Sequence, residues 1–527
     1  MGSEMCIRDR SNGGLPNGGY RMARHLKALA AAAAALSLMV AGCSGGDAGG
    51  GAAAETTLTL GSITQATTFA AKDMRWANES FYGQAVYDTL LIADPEGKVQ
   101  PHVATEWTYD TAKTKLTLKI RTDIKFSDGE KLTADVVAQN LKRFRDGVSP
   151  NKNLLEELAD AKAVDESTVE LTLKQPDPGV IVGLSRNAGL IASPKSFGAA
   201  DEKTKPVGSG PYVLDTEKTV PGTEYYFKKN PTYWKPEMRK YDNLVVKVFT
   251  DPTALLNAAK SGQVNGSNVI DRGTLKEYEA SGYTLNKFEL DWLGVILYDR
   301  GGSMTPAMKD VRVRRAINMA FDRASILTTY GQGFGTVTEQ IFPPRSAAFD
   351  KSLDSTYKYD PAAAKALLAQ AGFPNGFTLK MPTSPLMGTT LPPIIQQQLK
   401  DIGVTVEFTQ STDYIGDMLA PKYSAAWMQL QTDEDFALYK FQIGPVATWN
   451  PFKYADPKVT ALGATMRAGS DADAAAAAKE LNAYIVDQAW FVPWYRTQGV
   501  FVTDAKTQVK TQAGNAIPYL WNITPKA

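Results

Sequence analysis

From Thr56 onward the chain alternates between two hydrophobic periods. Thr56-Thr57-Leu58-Thr59-Leu60 sets apolar side chains at every second position, the pattern of a strand buried on one face. The same period recurs at 115–121, where Leu116, Leu118 and Ile120 share a face, and at 168–174 with Val169, Leu171 and Leu173. Further strands are expected at 244–249 and 403–408. Between them lie helical segments with marked ends. Asp251-Pro252 opens one as N-cap followed by proline at the first position, and Gly262 closes it. Asp360-Pro361 and Gly372 bracket 362–371 in the same way. A helix beginning near Asp310 carries Val313, Ile317, Ala320 and Phe321 as an apolar stripe, which belongs in a core. Strand–helix–strand order over 244–269 and 365–408 predicts an α/β fold with at least partly parallel sheets.

The N-terminal pattern is different in kind. Arg24 and Lys27 precede an apolar run at 28–40. As a helix this run would span only about 20 Å, short of the ~30 Å hydrocarbon core. It reads as the hydrophobic region of a signal peptide. Val40-Ala41-Gly42-Cys43 resembles the bacterial lipobox, so Cys43 is the expected lipidation site. Residues 1–21 fit no export signal; 1–42 is read as a non-native leader plus lipoprotein signal peptide. The small-residue stretch 44–55 cannot bury a core, which makes 43–55 a lipid-anchored flexible tether.

Composition narrows the function. A chain of 527 residues calls for more than one domain, and 43% hydrophobic with 21% charged residues is globular. A net charge of +1 offers no basic excess for nucleic acid. The two cysteines, Cys6 and Cys43, leave the mature chain no internal disulfide and no thiolate metal site. The two histidines are His25, within the signal, and His102. No nucleophile elbow, Walker loop, dinucleotide fingerprint or HExxH helix occurs. No catalytic residue, cofactor or metal is therefore expected. Asp433-Glu434-Asp435 is the densest acidic cluster near aromatic residues. It reads either as a solvated loop or as a counter-charge for a ligand amine, and composition leaves a glycosidase pair open. Among the aromatics, those in polar or glycine-rich surroundings, Trp292, Trp427, Trp449 and Tyr82, are the candidates for ligand contact.

One stretch goes further. Residues 104–144 (ATEWTYDTAKTKLTLKIRTDIKFSDGEKLTADVVAQNLKRF) resemble the signature of the peptide/nickel class of ABC-transporter solute-binding proteins. Asp128-Gly129 fits a turn, and Thr133 can cap a helix with Val136, Val137 and Leu141 on its apolar face. Further blocks follow in the family's order: 206–212 (PVGSGPY) with 229–234 (KNPTYW), 310–323, 359–376, and Asn450-Pro451-Phe452 with Val492-Pro493-Trp494-Tyr495. Asn265 stands where the family commonly has an aspartate.

The resemblance implies a two-lobed, Venus-flytrap α/β architecture with an extra subdomain in lobe I. Lobe I would comprise 56–88, 206–290 and 497–527, the extra subdomain 89–205, and lobe II 291–496. Chain crossings near 288–295 and 494–498 would form the hinge. The resemblance further implies a monomer that captures a peptide and delivers it to an ABC permease, at the outer face of the bacterial cytoplasmic membrane or in the periplasm. An oligosaccharide, opine, metal chelate or haem as ligand, or a secreted hydrolase, stand as alternatives. Peptide-binding members hold the ligand's α-amine with an Asp in a segment shaped like 424–439. Asp433 is the nearest positional match and Asp435 the alternative.

Overall fold

The N-terminal strand Thr57–Ser62 runs parallel to two others, Asn243–Val248 on one side and Gly266–Val269 on the other. These two are joined by helix Pro252–Lys260, so the expected strand–helix–strand unit forms with the N-terminal strand inserted between its strands. Asp251 caps the helix by accepting from the Thr253 amide, and Gly262 beyond its end has φ +70°. This computed structural model describes residues 56–526. Cys43, the leader and signal (1–42), and the tether (43–55) lie outside the described residues.

The three parallel strands belong to a nine-stranded mixed sheet that extends as far as Ala425–Gln431. Its longest members, Thr284–Leu297 and Phe491–Thr503, pair antiparallel along most of their length. One end of this ribbon lies beside Gly266–Val269 and the other beside Ala425–Gln431. The segments expected as chain crossings are thus the middle of one hydrogen-bonded ribbon. The pairing slips between Glu289 and Trp292 and again between Leu293 and Gly294. Arg496 reinforces this zone, bonding Glu289 at 3.0 Å and the Thr338 hydroxyl at 2.7 Å.

Separate cores form around the ribbon. The largest gathers Trp292, Ile296, Val313, Ile317, Phe321, Leu379, Ile395 and Trp494, all within 291–496. There the parallel pair Phe377–Thr383 and Val404–Gln410 is linked by helix Leu391–Asp401. The stripe Val313, Ile317, Ala320 and Phe321 is buried as expected. A second core lies within 90–191, where a four-stranded antiparallel sheet packs on helix Ala134–Asp146. Thr133 caps that helix through the Val136 amide, and Gly129 takes φ +87° in the expected turn. Three smaller clusters fill the remainder of the described residues. No helix among the described residues is long and apolar enough to cross a membrane.

The family-like block 206–212 has a visible physical reason. Gly208 packs against the Val86 carbonyl so closely that a Cβ there would lie 2.0 Å from its oxygen. Ser209 beside it donates to Asp88 at 2.8 Å. At Asn265 the departure is also explained: its Oδ1 accepts from the Thr59 amide at 2.7 Å, and its Nδ2 donates to Asp504 at 2.8 Å. An aspartate could not make the second bond.

Candidate functional site

Strand Ala425–Gln431 ends at Thr432, where the chain turns through Asp433 and Glu434 into the short helix Asp435–Leu438. This turn faces the segment 89–205, and two cavities open along the seam. The first, about 720 Å³, is walled by Trp107, Tyr109, Asp177 and Ile181 on one side, and by Arg345, Glu434, Asp435 and Arg467 on the other. The second, about 600 Å³, lies between Asn151, Glu156 and Arg186 and the opposing Asp433, Tyr439, Lys440 and Phe441. Both volumes fall in the range of small-ligand sites, about 300–1,000 Å³.

Charged side chains tie the two walls together. Arg186 Nη2 donates to Asp433 Oδ1 at 3.1 Å. Lys440 Nζ reaches Asp177 at 2.9 Å and Glu156 at 2.6 Å. Burial works against the Lys440 ammonium, yet these two carboxylates hold it above its ordinary value. Lys113 donates to the Gly469 carbonyl at 2.5 Å. The acidic turn itself is differentiated. Asp433 is engaged by Arg186, and Asp435 accepts from the Ser346 hydroxyl and, at 3.4 Å, from the Ala348 amide. Glu434 lines the first cavity. Burial, reinforced by the Asp433 charge, pushes its carboxyl above the usual range, against the pull of Arg186 and Arg345.

The structure gives the sequence candidates different surroundings. Asp433 and Asp435 line the cavities, one each. The four aromatic candidates line neither of these cavities. Tyr82 is fully buried in helix Ser80–Val86, donating to the Thr64 carbonyl at 2.8 Å and packing edge-on against Tyr225. Trp292 is equally buried, its indole N–H on Gln442 Oε1 at 2.9 Å. Trp427 sits in the large core, and Trp449 packs edge-on against Phe441. Large aromatic surfaces gain most from leaving water, and the cores take them. The aromatics that do line cavities are Trp107 and Tyr109, on one face of strand Ala104–Tyr109, with Tyr439 and Phe441. Trp107 is the tryptophan of the A-x-x-W element, so the signal was present but marked a family block rather than a site. Arg345, in a Pro-Pro-Arg-Ser loop, carried no signal. Among the described residues no group of three or more His, Cys, Asp or Glu side chains could hold a metal ion.

Comparison with known proteins agrees with this architecture. The family described as bacterial extracellular solute-binding proteins, family 5, matches residues 98–464. The glutathione-binding protein GsiB of Escherichia coli K12 is 30% identical over 362 residues, covering 66% of this chain and 68% of its own length. HbpA2 of Haemophilus parasuis superposes with TM-score 0.79 at 20% identity, over 89% of this chain and 100% of its own. DppA of Helicobacter pylori, solved with the peptide STSA, gives TM-score 0.70 at 19% identity, over 90% and 99%. With a two-lobed fold, a seam of charged cavities and a family match across most of its length, this chain belongs to the family 5 solute-binding proteins, the peptide/nickel class that serves ABC importers.

Proposed function

We propose that this protein captures a short peptide between its lobes and hands it to the permease of an ABC importer, without chemical turnover. The observation that carries the reading is the charged seam: two ligand-sized cavities walled by the extra subdomain and lobe II, with carboxylates and cations of both signs. A peptide carries an ammonium at one end and a carboxylate at the other, and such a seam complements both. Glutathione and the peptide STSA, named as ligands of two relatives, are both peptides. The bridges Arg186–Asp433 and Lys440–Asp177 span the cleft and must part when it opens, so a ligand bound to both walls favours the closed state. The acidic turn 433–435 is the element for the ligand's ammonium. Asp433 serves only by exchanging Arg186, and Asp435 by exchanging Ser346.

Thermal-shift screening of a pool of free short peptides tests the reading, because a ligand that binds only the native state raises stability by RT ln(1 + [L]/Kd). Stabilisation by peptides, with none by oligosaccharides, opines or metal chelates, is the expected result. No shift with any peptide sinks it.

The chain works as a monomer anchored through Cys43 at the outer face of the cytoplasmic membrane. The Cys43→Ala variant should accumulate as unprocessed precursor and take up no labelled lipid. Lipid incorporation equal to wild type in that variant would remove the anchor from the proposal.

A further inference from the structure

The first cavity holds two opposite charges, Arg345 and Glu434, neither of which has an ion-pair contact among the described residues. Arg345 has no carboxylate within ion-pair distance among the described residues. Its guanidinium donates only to the carbonyl and hydroxyl of Thr432, at 2.8 and 3.4 Å. These bonds fix its plane while leaving N–H groups for a further acceptor, since a guanidinium carries five. Glu434 has no hydrogen-bond or ion-pair partner for its carboxylate among the described residues, although it is half-buried. Its neighbours differ: Asp433 is held by Arg186 and Asp435 by Ser346. Arg345 and Glu434 line the same 720 Å³ cavity.

We infer that Arg345 and Glu434 are the charge-reading pair of this site, Arg345 taking the carboxylate of a zwitterionic peptide and Glu434 its ammonium. The inference rests on the peptide reading above but moves the amine contact from Asp433 to the next residue. Asp433 and Arg186 then act as a latch between the lobes and not as ligand contacts. Half-buried, unpaired charges of both signs are costly unless something completes them, and one ligand with both termini free completes both at once. Arg in particular suits a carboxylate, because its planar fork binds both oxygens.

The test uses the full chain with a pool of free di- to tetrapeptides, each paired with its C-terminal amide and its N-acetyl form. Wild type should prefer the free peptide over either blocked form by about 30-fold or more, the usual consequence of unpairing a desolvated charge. In Arg345→Met the preference for free acid over amide should fall below about threefold, while discrimination against the N-acetyl form persists. Arg345→Lys should recover part of it. Glu434→Gln should give the mirror result, and Asp433→Asn should keep both preferences. A misfolded variant would lose all binding and would not produce this crossed pattern; unfolding curves of the variants confirm that each is native. If Arg345→Met and Glu434→Gln keep both preferences, or if Asp433→Asn alone loses the ammonium preference, the pair is overturned while peptide binding stands. If wild type binds no member of the pool, the peptide reading falls and the pair with it.

Discussion

Asp88 and Asp433 are both carboxylates beside a basic side chain, yet their settings have little else in common. Asp88 is buried and accepts from Ser209 Oγ (2.8 Å), Trp234 Nε1 (2.9 Å), Tyr233 OH (3.3 Å) and His102 Nε2 (3.0 Å). An ionised Asp88 can only accept, so the His102 proton sits on Nε2. Donors from three separate stretches of chain thus converge on one group that has no exposed side. Asp433 is half-buried and has one cationic partner, Arg186, on the opposite wall of a cleft and 247 residues away in sequence. The difference separates a structural carboxylate from an exchangeable one. The first is saturated by donors buried around it; the second shares a part-solvated cleft with a single partner that a ligand can replace.

The comparison predicts a gradient of effects. Asp88→Ala leaves four donors facing an empty site, and removal of one member of a buried charged network costs about 3–5 kcal/mol. Denaturant unfolding should show that loss as a lower midpoint at unchanged slope. A cost under about 1 kcal/mol would erase the distinction between the two sites. Asn265→Asp comes next. It sets a carboxylate against Asp504 and removes the amide donor, so a loss of about 1–3 kcal/mol is expected. The smallest stability effect belongs to Asp433→Asn, within about 1 kcal/mol, because its pair with Arg186 is part-solvated. That variant should instead show a larger radius of gyration by small-angle scattering without ligand. An unchanged radius would mean that the pair does not hold the lobes together.

The fold was legible where local chemistry decides it. Asp251, Asp310, Asp360 and Thr133 each cap the helix that follows, and the alternating segments became strands within a residue or two of their expected ends. A cap needs only a side chain and the amides two or three residues on, which sequence displays directly. The site was legible only in part. The acidic turn could be located, but the pairing of Asp433 with Arg186, and the lack of such a partner at Glu434, depend on chain that returns from far away. For the same reason Trp292 and Tyr82 looked available, although distant strands and helices cover them completely. Polar neighbours in sequence say little about neighbours in space for a residue on a central strand. Trp107 and Tyr109 lie within the family-like stretch 104–144, but sequence does not show that this face of their strand would line a cavity.

The position of strand Phe491–Thr503 also bears on the order in which the molecule can assemble. It lies between Thr284–Leu297 and Gly266–Val269, in the middle of the nine-stranded sheet, although both neighbours come far earlier in the chain. A chain emerging from its N-terminus can complete the 90–191 core early, since every side chain in it is present by then. The nine-stranded sheet cannot close at that stage, because the strand that joins Thr284–Leu297 to Gly266–Val269 has yet to be made. Pairings of such long sequence separation are also the slowest to form. A molecule assembled in this order keeps its largest sheet open until strand Phe491–Thr503 has been made.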